Sequence, residues 1–304
     1  MSTSQPLDHI GQYVLLKKLG RGAMATVFLA RSQVNGEEVA LKLFNDELRT
    51  SSRPRELFLR EIEVMMALSH PHVVRLLDRI WTGESFLLTM EYCNQGNVET
   101  LVKQNCGRVP LRQAVEIIVQ VLDGLEYAHT AELHSVKMAR GGFAPARGVV
   151  HRDIKPSNIL LCGESEAEEI VAKIGDFGLA KAYELAGLTG QTRTGMTGGT
   201  PMFAPRQQAI NFRRIGPEVD VWATAATLYF MLTGRPPRDF PPSMTGWQVV
   251  TETSPVPIRQ RVTEVPDSLA EVIDDALDDS AKELHFKSAA KFRSALLEAT
   301  GIHG

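Results

Sequence analysis

Two short polar segments, each flanked by strand-like apolar residues, constrain the fold of this chain most strongly. The first is His151-Arg152-Asp153-Ile154-Lys155-Pro156-Ser157-Asn158, between the apolar residues 149–150 and 159–161. The second is Asp176-Phe177-Gly178, which follows the apolar segment 171–174. Buried strands seldom tolerate so many polar groups unless each one has a partner. The pattern therefore predicts a polar site assembled at the ends of short buried strands.

The residue types in these segments suit phosphate and metal chemistry. Asp153 can accept the proton of a hydroxyl group, and Asn158 can bind a cation through its amide oxygen. Asp176 offers a second oxygen ligand of the kind that Mg²⁺ prefers. Either segment alone could occur by chance, but both follow two further motifs in a fixed order.

The first upstream motif is the glycine-rich run Gly20-Arg21-Gly22-Ala23-Met24-Ala25-Thr26-Val27. It connects strand to strand, whereas a dinucleotide-binding loop or a P-loop connects strand to helix. Glycines on such a hairpin let backbone N–H groups approach phosphates closely. Taken alone, the run is equally consistent with an ordinary glycine turn. Asn35-Gly36 further along predicts that the strands within 13–43 are consecutive and antiparallel.

The second upstream motif pairs a lysine with a carboxylate. Lys42 ends the apolar strand 39–42, and Glu61 lies in the middle of an apolar helical stripe within 53–68. An unpaired buried charge is costly, so Glu61 needs a cation, and Lys42 is the nearest candidate in the pattern. The alternative is that Glu61 reaches solvent.

The periodicity along the chain predicts an α+β fold with two lobes. The small lobe is an antiparallel β-sheet with one key helix, and the larger lobe is mainly helical, with helices expected at 111–129, 218–233, 267–278 and 287–299. A short connector at 94–97 joins them, so a cleft lies between the lobes, which is a favoured location for ligand sites.

Composition narrows the function classes. The chain has 304 residues, 43% of them hydrophobic, which is enough for one large bilobal domain. A net charge of -3 argues against nucleic-acid binding as the main activity. The polar start 1–11 lacks a signal-peptide core, and the apolar run 221–232 is shorter than the roughly 20 residues of a membrane span. We therefore expect a cytoplasmic protein without membrane contact, and we interpret 221–232 as a buried helix.

The three cysteines show no metal-ligand spacing. Cys93, Cys106 and Cys162 are isolated in sequence, and their odd number fits a reducing compartment. We expect all three to be structural.

Together the motifs resemble those of the eukaryotic-type serine/threonine protein kinases, from Tyr13 to about Ala299. The run 20–25 and the closing segment 286–292 look most like bacterial members of the family. The resemblance implies a polar extension at 1–12 and a kinase domain at 13–300. Within that domain it implies an N-lobe at 13–92, a hinge at 93–97 and a C-lobe at 98–300.

The resemblance also implies roles in phosphate transfer. Asp153 corresponds to the catalytic base, and Lys155 to the lysine that steadies the γ-phosphate. Asn158 and Asp176 correspond to the ligands of Mg²⁺, or of Mn²⁺ in its place. Lys42 corresponds to the lysine that contacts the α- and β-phosphates of ATP and pairs with Glu61.

For ATP itself, the resemblance places Met90 at the gatekeeper position and assigns adenine hydrogen bonds to the backbone of Glu91 and Cys93. Val27 and Ala40 would sandwich the base. The full set of implied nucleotide-binding residues is Leu19, Gly20, Arg21, Gly22, Ala23, Met24, Ala25, Val27, Ala40, Lys42, Met90, Glu91 and Cys93.

Arg152 suggests control by phosphorylation, because in the family an arginine before the catalytic aspartate accompanies such control. We hypothesise that Thr192 and Thr194 are autophosphorylated, within a transient homodimer, and that Arg152 pairs with the phosphate. The alternative is that they are ordinary polar loop residues. Thr200 corresponds to a structural threonine that faces Lys155 and Asp153.

The chain departs from the family pattern at three places. Ala25 replaces a glycine, a change to which we attach little weight. Arg206 replaces the glutamate of the usual Ala-Pro-Glu, and charge logic predicts that it pairs with Glu283. The segment 130–148 is longer than expected, and we interpret it as a tolerated surface insertion rather than a docking loop.

These observations predict an enzyme that transfers the γ-phosphate of ATP to serine or threonine hydroxyls of proteins, its own activation loop included. The rival interpretation is a catalytically silent kinase fold that acts as a scaffold, for which Arg206 is the only sign. A small-molecule kinase is disfavoured by Lys155, by Thr200 and by the full-length activation segment.

Overall fold

The computed structural model describes residues 9–22, 25–44, 52–81, 86–137, 143–163, 170–177, 200–211 and 215–302. An antiparallel sheet with one helix forms the first part of the chain, and helices dominate the rest. The predicted α+β architecture with a small β-lobe and a larger helical lobe is confirmed.

The small lobe is a six-stranded sheet in the order β1-β2-β3-β4-β6-β5, with all neighbours antiparallel. The consecutive pairing of β2, β3 and β4 confirms the prediction for residues 13–43. The sequence pattern did not reveal that the chain places β6 beside β4 and β5 at the edge. The strands are β1 (His9–Ile10), β2 (Tyr13–Arg21), β3 (Ala25–Ser32), β4 (Glu38–Phe44), β5 (Leu76–Trp81) and β6 (Phe86–Glu91).

Strand β4 shows how the sheet positions the site. Its side chains alternate between two faces. Val39 and Leu41 pack in a small outer cluster, while Ala40 and Phe44 belong to the main core. Lys42 therefore shares the inner face with Ala40, and this face lines the cleft. Helix α1 (Ser52–Met66) covers the sheet and carries the buried Glu61.

The large lobe is built around helix α5 (Glu218–Thr233), which is buried along almost its whole length. The helices expected from periodicity are all present, with ends within two residues of the prediction. Helix α5 ends at Gly234. A residue with a side chain would not fit there, because φ is +72° and a Cβ would lie 2.5 Å from the carbonyl oxygen of Gly107. The helices are α2 (Val98–Gln104), α3 (Leu111–Thr130), α4 (Arg206–Asn211), α5 (Glu218–Thr233), α6 (Gly246–Glu252), α7 (Asp267–Leu277) and α8 (Ala289–Thr300).

Within the described part of the chain, no helix combines the length and the apolar character needed to cross a membrane. The apolar run 221–232 lies inside α5, so the prediction of a buried core helix is confirmed.

The insertion between α3 and the polar loop is a β-hairpin, formed by β7 (Glu132–Lys137) and β8 (Phe143–Arg147). Its two ends meet, because the N–H of Gly148 donates to the carbonyl of Ala131 at 3.0 Å. Strand β7 lies beside α1. The hairpin thus returns the chain to the end of α3.

Residues 149–150 are not a strand, and the prediction of one there was wrong. The N–H of Val149 bonds instead to the carbonyl of Ala128 in the last turn of α3, at 2.8 Å. Val149 is therefore held by the last turn of α3 and not by a neighbouring strand. The other strands of the prediction are present, as the antiparallel pair β9 (Ile159–Cys162) and β10 (Val171–Ile174).

The predicted pair of Arg206 with Glu283 was also wrong. Glu283 forms an exposed ion pair with Lys287 at 2.7 Å, one helical turn apart in sequence. Arg206 donates from its guanidinium to the carbonyl of Thr253 at 3.0 Å, and from its backbone N–H to Asp279 at 2.8 Å. Charge sign alone could not predict this, because Asp279 already has a buried partner.

That partner is Arg238, and the Arg238–Asp279 ion pair is a fully buried electrostatic contact of this lobe. Each side chain is 1% exposed. Arg238 also donates to the carbonyl of Thr253 at 3.1 Å and lies over the ring of Trp222. The pair connects the start of α4 to the segments around α5 and α7.

We predict that Arg238→Ala lowers the free energy of unfolding by about 3–5 kcal/mol, because it leaves a buried carboxylate without its counter-charge. Glu283→Ala is the matched control, and it leaves stability essentially unchanged because its ion pair is exposed. Urea unfolding of both variants measures the difference. Equal effects of the two substitutions would contradict this account of the lobe.

Candidate active site

The predicted polar residues meet in one constellation around Asp153. Lys155 donates from Nζ to Asp153 Oδ2 at 2.7 Å and to Thr200 Oγ1 at 2.9 Å. Thr200 donates its backbone N–H to Asp153 Oδ1 at 3.2 Å, and its hydroxyl lies 3.3 Å from the same oxygen. The expected position of Thr200, facing both residues, is therefore observed. The carboxylate of Asp153 is held in place from both of its oxygens.

The backbone of this loop is fixed by Asp220, near the start of α5. The carboxylate of Asp220 accepts the N–H of His151 and the N–H of Arg152, each at 2.7 Å, and the ring of His129 at 2.8 Å. Burial opposes ionisation of Asp220, but the hydrogen bonds that its carboxylate accepts from His129 and from the backbone N–H of Arg152 outweigh it. The pKa of Asp220 is therefore held below its ordinary value.

His151 connects this loop to the segment that carries Asp176. Its Nε2 lies 2.8 Å from the carbonyl of Gly175, and its Nδ1 accepts the N–H of Asp153 at 3.2 Å. A neutral ring protonated on Nε2 satisfies both bonds. The ring also packs edge-on against Phe177, with 4.8 Å between the centroids. One buried histidine thus sets the spacing between Asp153 and Asp176.

Asp176 projects into the cleft and contacts Lys42. Lys42 Nζ lies 2.6 Å from Asp176 Oδ1. Burial opposes ionisation of this carboxylate, but the positive charge and hydrogen bond of Lys42 outweigh it and lower the pKa of Asp176. The residue has φ of +57°, in the left-handed region that residues with a side chain rarely adopt. Glu61 is buried nearby in α1, and its predicted pairing with Lys42 stays a prediction.

Asn158 ends a short 3₁₀ turn at the start of β9 and faces the same space. Its amide nitrogen donates to the carbonyl of Asp153 at 2.8 Å, and it is also 3.4 Å from Asp153 Oδ2. Because the nitrogen is used in this way, the amide oxygen is the atom available to a cation. Asn158 and Asp176 both line the cleft.

The cleft between the lobes has a volume of about 730 Å³. This falls within the range of small-molecule sites, about 300–1,000 Å³. Its wall contains most of the residues expected from the resemblance, namely Leu19, Gly20, Arg21, Gly22, Ala25, Val27, Ala40, Lys42, Met90, Cys93, Lys155, Asn158 and Asp176. The residues expected from the resemblance therefore form a large part of one continuous cleft wall.

The side chain of Glu91 forms an ion pair with Lys173 at 2.7 Å and accepts the N–H of Arg75. The predicted contact of its backbone with adenine stays a prediction. Ala23, Met24, Thr192 and Thr194 lie outside the described residues.

Arg152 lies beside the site rather than in it. Its backbone has φ of +70°, and its carbonyl accepts a hydrogen bond from Gln208 at 2.9 Å.

The sequence motifs did not indicate Asp220 or several residues of the cleft wall. Asp220 could have been found, because it is a carboxylate beside the apolar run 221–232, where a buried charge requires partners. The wall residues Lys17, Tyr92, Asn94, Gly96, Asn97, Thr100, Ser157, Leu160 and Gly175 gave no such signal, since their types are ordinary for loops and strand ends.

We predict that Asp220→Asn loosens the polar loop, because an amide replaces the charged acceptor of two backbone N–H groups. Hydrogen bonds to charged groups contribute about 1.5–3 kcal/mol each. Hydrogen exchange of the amides of residues 151 and 152 should accelerate, as measured by mass spectrometry. Asp274→Asn is the control, since Asp274 accepts the N–H of Ile258 far from this loop.

The effect of Asp220→Asn on the free energy of unfolding should depend on pH. The pKa of folded Asp220 lies below its ordinary value of 3.8, so its contribution is complete above pH 3.8 and is lost as pH falls through the folded pKa. The stability difference between wild type and Asp220→Asn should therefore shrink in that acidic window. A difference that stays constant there, in urea titrations at each pH, would count against the assigned role.

Comparisons with known proteins agree with this geometry. The Candida albicans carbon catabolite-derepressing protein kinase is 31% identical over 237 residues, which is 78% of this chain and 34% of that protein. CBL-interacting protein kinase 4 of Oryza sativa subsp. japonica is 33% identical over 76% of this chain and 46% of its own length. The chain thus spans a third to a half of the length of these curated relatives.

Among solved structures, the kinase domain of Mycobacterium tuberculosis PknI superposes with a TM-score of 0.69 at 21% identity, covering 98% of this chain and all of that one. Rad53 1–466 in complex with AMP-PNP has a TM-score of 0.69 at 24% identity, covering 94% of this chain and 65% of that one. These similarities establish the fold. Residues 13–285 match the protein kinase domain family, and the chain belongs to that family.

Proposed function

We propose that the chain is an active serine/threonine protein kinase that transfers the γ-phosphate of ATP to serine or threonine hydroxyls of proteins. The observation that carries the proposal is the triad of Asp153, Lys155 and Thr200, whose Lys155 lines the same cleft as Lys42 and Asp176. We propose 13–300 as the catalytic domain, with 93–97 as the hinge between its lobes.

Asp153 is the proposed catalytic base. Its Oδ1 is held by Thr200 and its Oδ2 by Lys155, so the carboxylate cannot rotate freely. A substrate hydroxyl beside it is oriented by the carboxylate, which takes its proton as the new oxygen–phosphorus bond forms and the bond between the γ-phosphorus and ADP breaks. Lys155 keeps a positive charge next to this reaction and steadies the γ-phosphate.

Thr200 contributes to serine and threonine selectivity in this proposal. Its hydroxyl lies against Lys155, and the segment that begins with it lies beside Asp153. The arrangement forms a short wall next to the base, which suits an aliphatic hydroxyl group better than the longer tyrosine side chain.

The cleft fits a nucleotide together with a divalent cation. Asn158 offers its amide oxygen and Asp176 its carboxylate, a donor set that suits Mg²⁺ or Mn²⁺. Among the described residues there is no group of three or more His, Cys, Asp or Glu that could hold a metal by itself. A cation held here would complete its coordination with water and with phosphate oxygens. When bound, Mg·ATP supplies the phosphoryl group and the cation neutralises its charge.

Lys42 and the hinge orient the nucleotide. Lys42, on the inner face of β4, is placed to contact the α- and β-phosphates, and Glu61 supports it from α1. Val27 and Ala40 lie on the neighbouring strands β3 and β4, where they can cover one face of the base. The backbone of Glu91 and Cys93 offers the hydrogen bonds that adenine requires.

The silent-scaffold alternative requires loss of a residue that the chemistry uses, and Lys42, Asp153, Asn158 and Asp176 are all retained. Protein substrates with serine or threonine acceptors are the proposed partners. We propose a cytoplasmic location and a transient homodimer during autophosphorylation. Nucleic acid and membranes are not proposed partners.

Arg152 is the proposed phosphate sensor. Its backbone is held by Asp220, and the next residue is the proposed base Asp153. An ion pair between the Arg152 side chain and a phosphothreonine would therefore help to fix the position of Asp153. Thr192 and Thr194 are the proposed acceptors.

Asp153→Asn should reduce phosphate transfer about 10²–10⁴-fold, the usual contribution of a general base, while nucleotide binding is retained. Transfer of label from γ-labelled ATP to protein, followed by phosphoamino-acid analysis, measures this. The control is Asp275→Asn on the exposed face of α7, which should keep wild-type activity. Label on tyrosine alone, or equal activity of Asp153→Asn and wild type, would refute the proposal.

Thr192 and Thr194 should carry phosphate in protein expressed in active form and lack it in protein expressed as Asp153→Asn. The reason is that the proposed modification is an autophosphorylation. Phosphopeptide mapping by mass spectrometry checks the result. Finding both threonines unmodified in fully active protein would rule out this form of control.

A further inference from the structure

Two of the three cysteines lie next to each other where the hinge passes over the floor of the cleft. The segment 93–97 runs antiparallel to the end of β9, joined by two backbone hydrogen bonds of 2.9 Å between Leu161 and residues 95 and 96. The side chain of Asn94 extends this pairing through bonds of 2.7 and 3.2 Å to the backbone of Gly163. The backbone therefore holds Cys93 and Cys162 side by side.

The two thiols lie close enough to influence each other's ionisation, and their surroundings differ. Cys93 is buried, whereas Cys162 is partly exposed. The neighbouring Cys93 thiol lowers the pKa of Cys162 and the ammonium of Lys173 acts in the same direction, while partial burial and the carboxylate of Glu91 oppose them. For Cys93, the hydrogen bond with Cys162 and burial raise the pKa. Cys162 is thus the better nucleophile of the pair.

Lys173 is itself held in place, since it lies opposite Leu160 in the β9–β10 ladder and bonds to Glu91 at 2.7 Å. A positive charge beside a partly exposed thiol is the environment in which cysteines react with oxidants. Contact with a second, buried thiol adds a resolving partner.

We propose that Cys93 and Cys162 form a peroxide-sensitive dithiol, which closes to an intramolecular disulfide and weakens nucleotide binding in the cleft. In the first step the Cys162 thiolate attacks one oxygen of hydrogen peroxide. The O–O bond breaks, a sulfenic acid forms on Cys162, and the departing hydroxide is protonated to water.

In the second step the sulfur of Cys93 attacks the sulfur of that sulfenic acid. The S–S bond forms as the S–O bond breaks, and the hydroxide leaves with the proton of the Cys93 thiol as a second water. Two thiols are oxidised to one disulfide, and one peroxide is reduced to two waters. A dithiol reductant reverses the reaction by exchange.

The link to nucleotide binding follows from the position of Cys93, and this part rests on the proposed function. Cys93 lines the cleft, and so does Leu160 of the adjoining strand. A covalent bond brings the two sulfurs closer than a non-bonded contact allows, which draws the hinge backbone toward β9. The hinge hydrogen bonds to adenine tolerate little displacement. We therefore expect at least a tenfold weaker affinity for nucleotide, and bound nucleotide should in turn slow the oxidation.

Cys106 provides the internal control. It is exposed in the turn that follows α2, away from the cleft wall. A general sensitivity of thiols to peroxide would affect it at least as strongly as Cys162. If Cys93 and Cys162 react and Cys106 does not, the reaction depends on the arrangement of the pair and not on exposure to solvent.

The chemical test uses the reduced, purified chain, treated with hydrogen peroxide and then with iodoacetamide. Wild type and Cys106→Ser should each lose 2 Da by intramolecular bonding and yield one cross-linked peptide that contains residues 93 and 162. Cys93→Ser should stop at a sulfenic acid on residue 162 that dimedone traps, and Cys162→Ser should yield neither product. Thermal unfolding confirms that each variant is folded. Cross-links through Cys106, or none at all, would overturn the proposal.

The binding test measures the affinity for a fluorescent ATP analogue before oxidation, after oxidation, and after reduction with dithiothreitol. The expected result is a loss of at least tenfold that dithiothreitol reverses in wild type and in Cys106→Ser. A disulfide that forms without changing affinity would overturn the link to the cleft. Reduced protein that binds no nucleotide would contradict the proposed kinase function instead, and the peptide result would still decide whether the dithiol exists.

Discussion

The site depends above all on one buried carboxylate, that of Asp220. It accepts the N–H groups of His151 and Arg152 at 2.7 Å each, in a loop where Arg152 has φ of +70°. A left-handed conformation costs a residue with a side chain roughly 1–2 kcal/mol. Each hydrogen bond to a charged acceptor contributes about 1.5–3 kcal/mol, so the two bonds outweigh that cost. With the backbone fixed in this way, His151 can hold Gly175, and the spacing between Asp153 and Asp176 follows.

The two carboxylates of the site are likewise held in place by groups of the chain itself. Asp153 is held by Lys155 and Thr200, and Asp176 by Lys42. Each acid is therefore neutralised by a lysine from a different strand or loop of the chain. Because Lys42 belongs to the small lobe and Asp176 to the segment after β10, their ion pair also joins the two walls of the cleft.

Local sequence patterns predicted the parts of the molecule that local physics determines. Strands β2 to β4, the long helices, and the polar residues at strand ends all follow from periodicity and from the spacing of side chains. Predictions failed where a distant group decides the outcome. The segment 149–150 bonds to the end of α3 instead of forming a strand, since the hairpin before it closes on Ala131. The contact between Cys93 and Cys162 was equally invisible, because hinge and β9 meet only in three dimensions.

Arg206 shows how such a distant group changes the interpretation of a motif. From sequence, an arginine in place of the usual glutamate was the only sign of a silent scaffold. In the structure the acidic group of this region is Asp279, and it is neutralised by the buried Arg238 while it also accepts the backbone N–H of residue 206. A backbone N–H is present whatever the side chain, so this anchor of α4 does not require glutamate at position 206. Arginine at position 206 therefore leaves this support of the large lobe in place. It gives no reason to regard the fold as a catalytically silent scaffold.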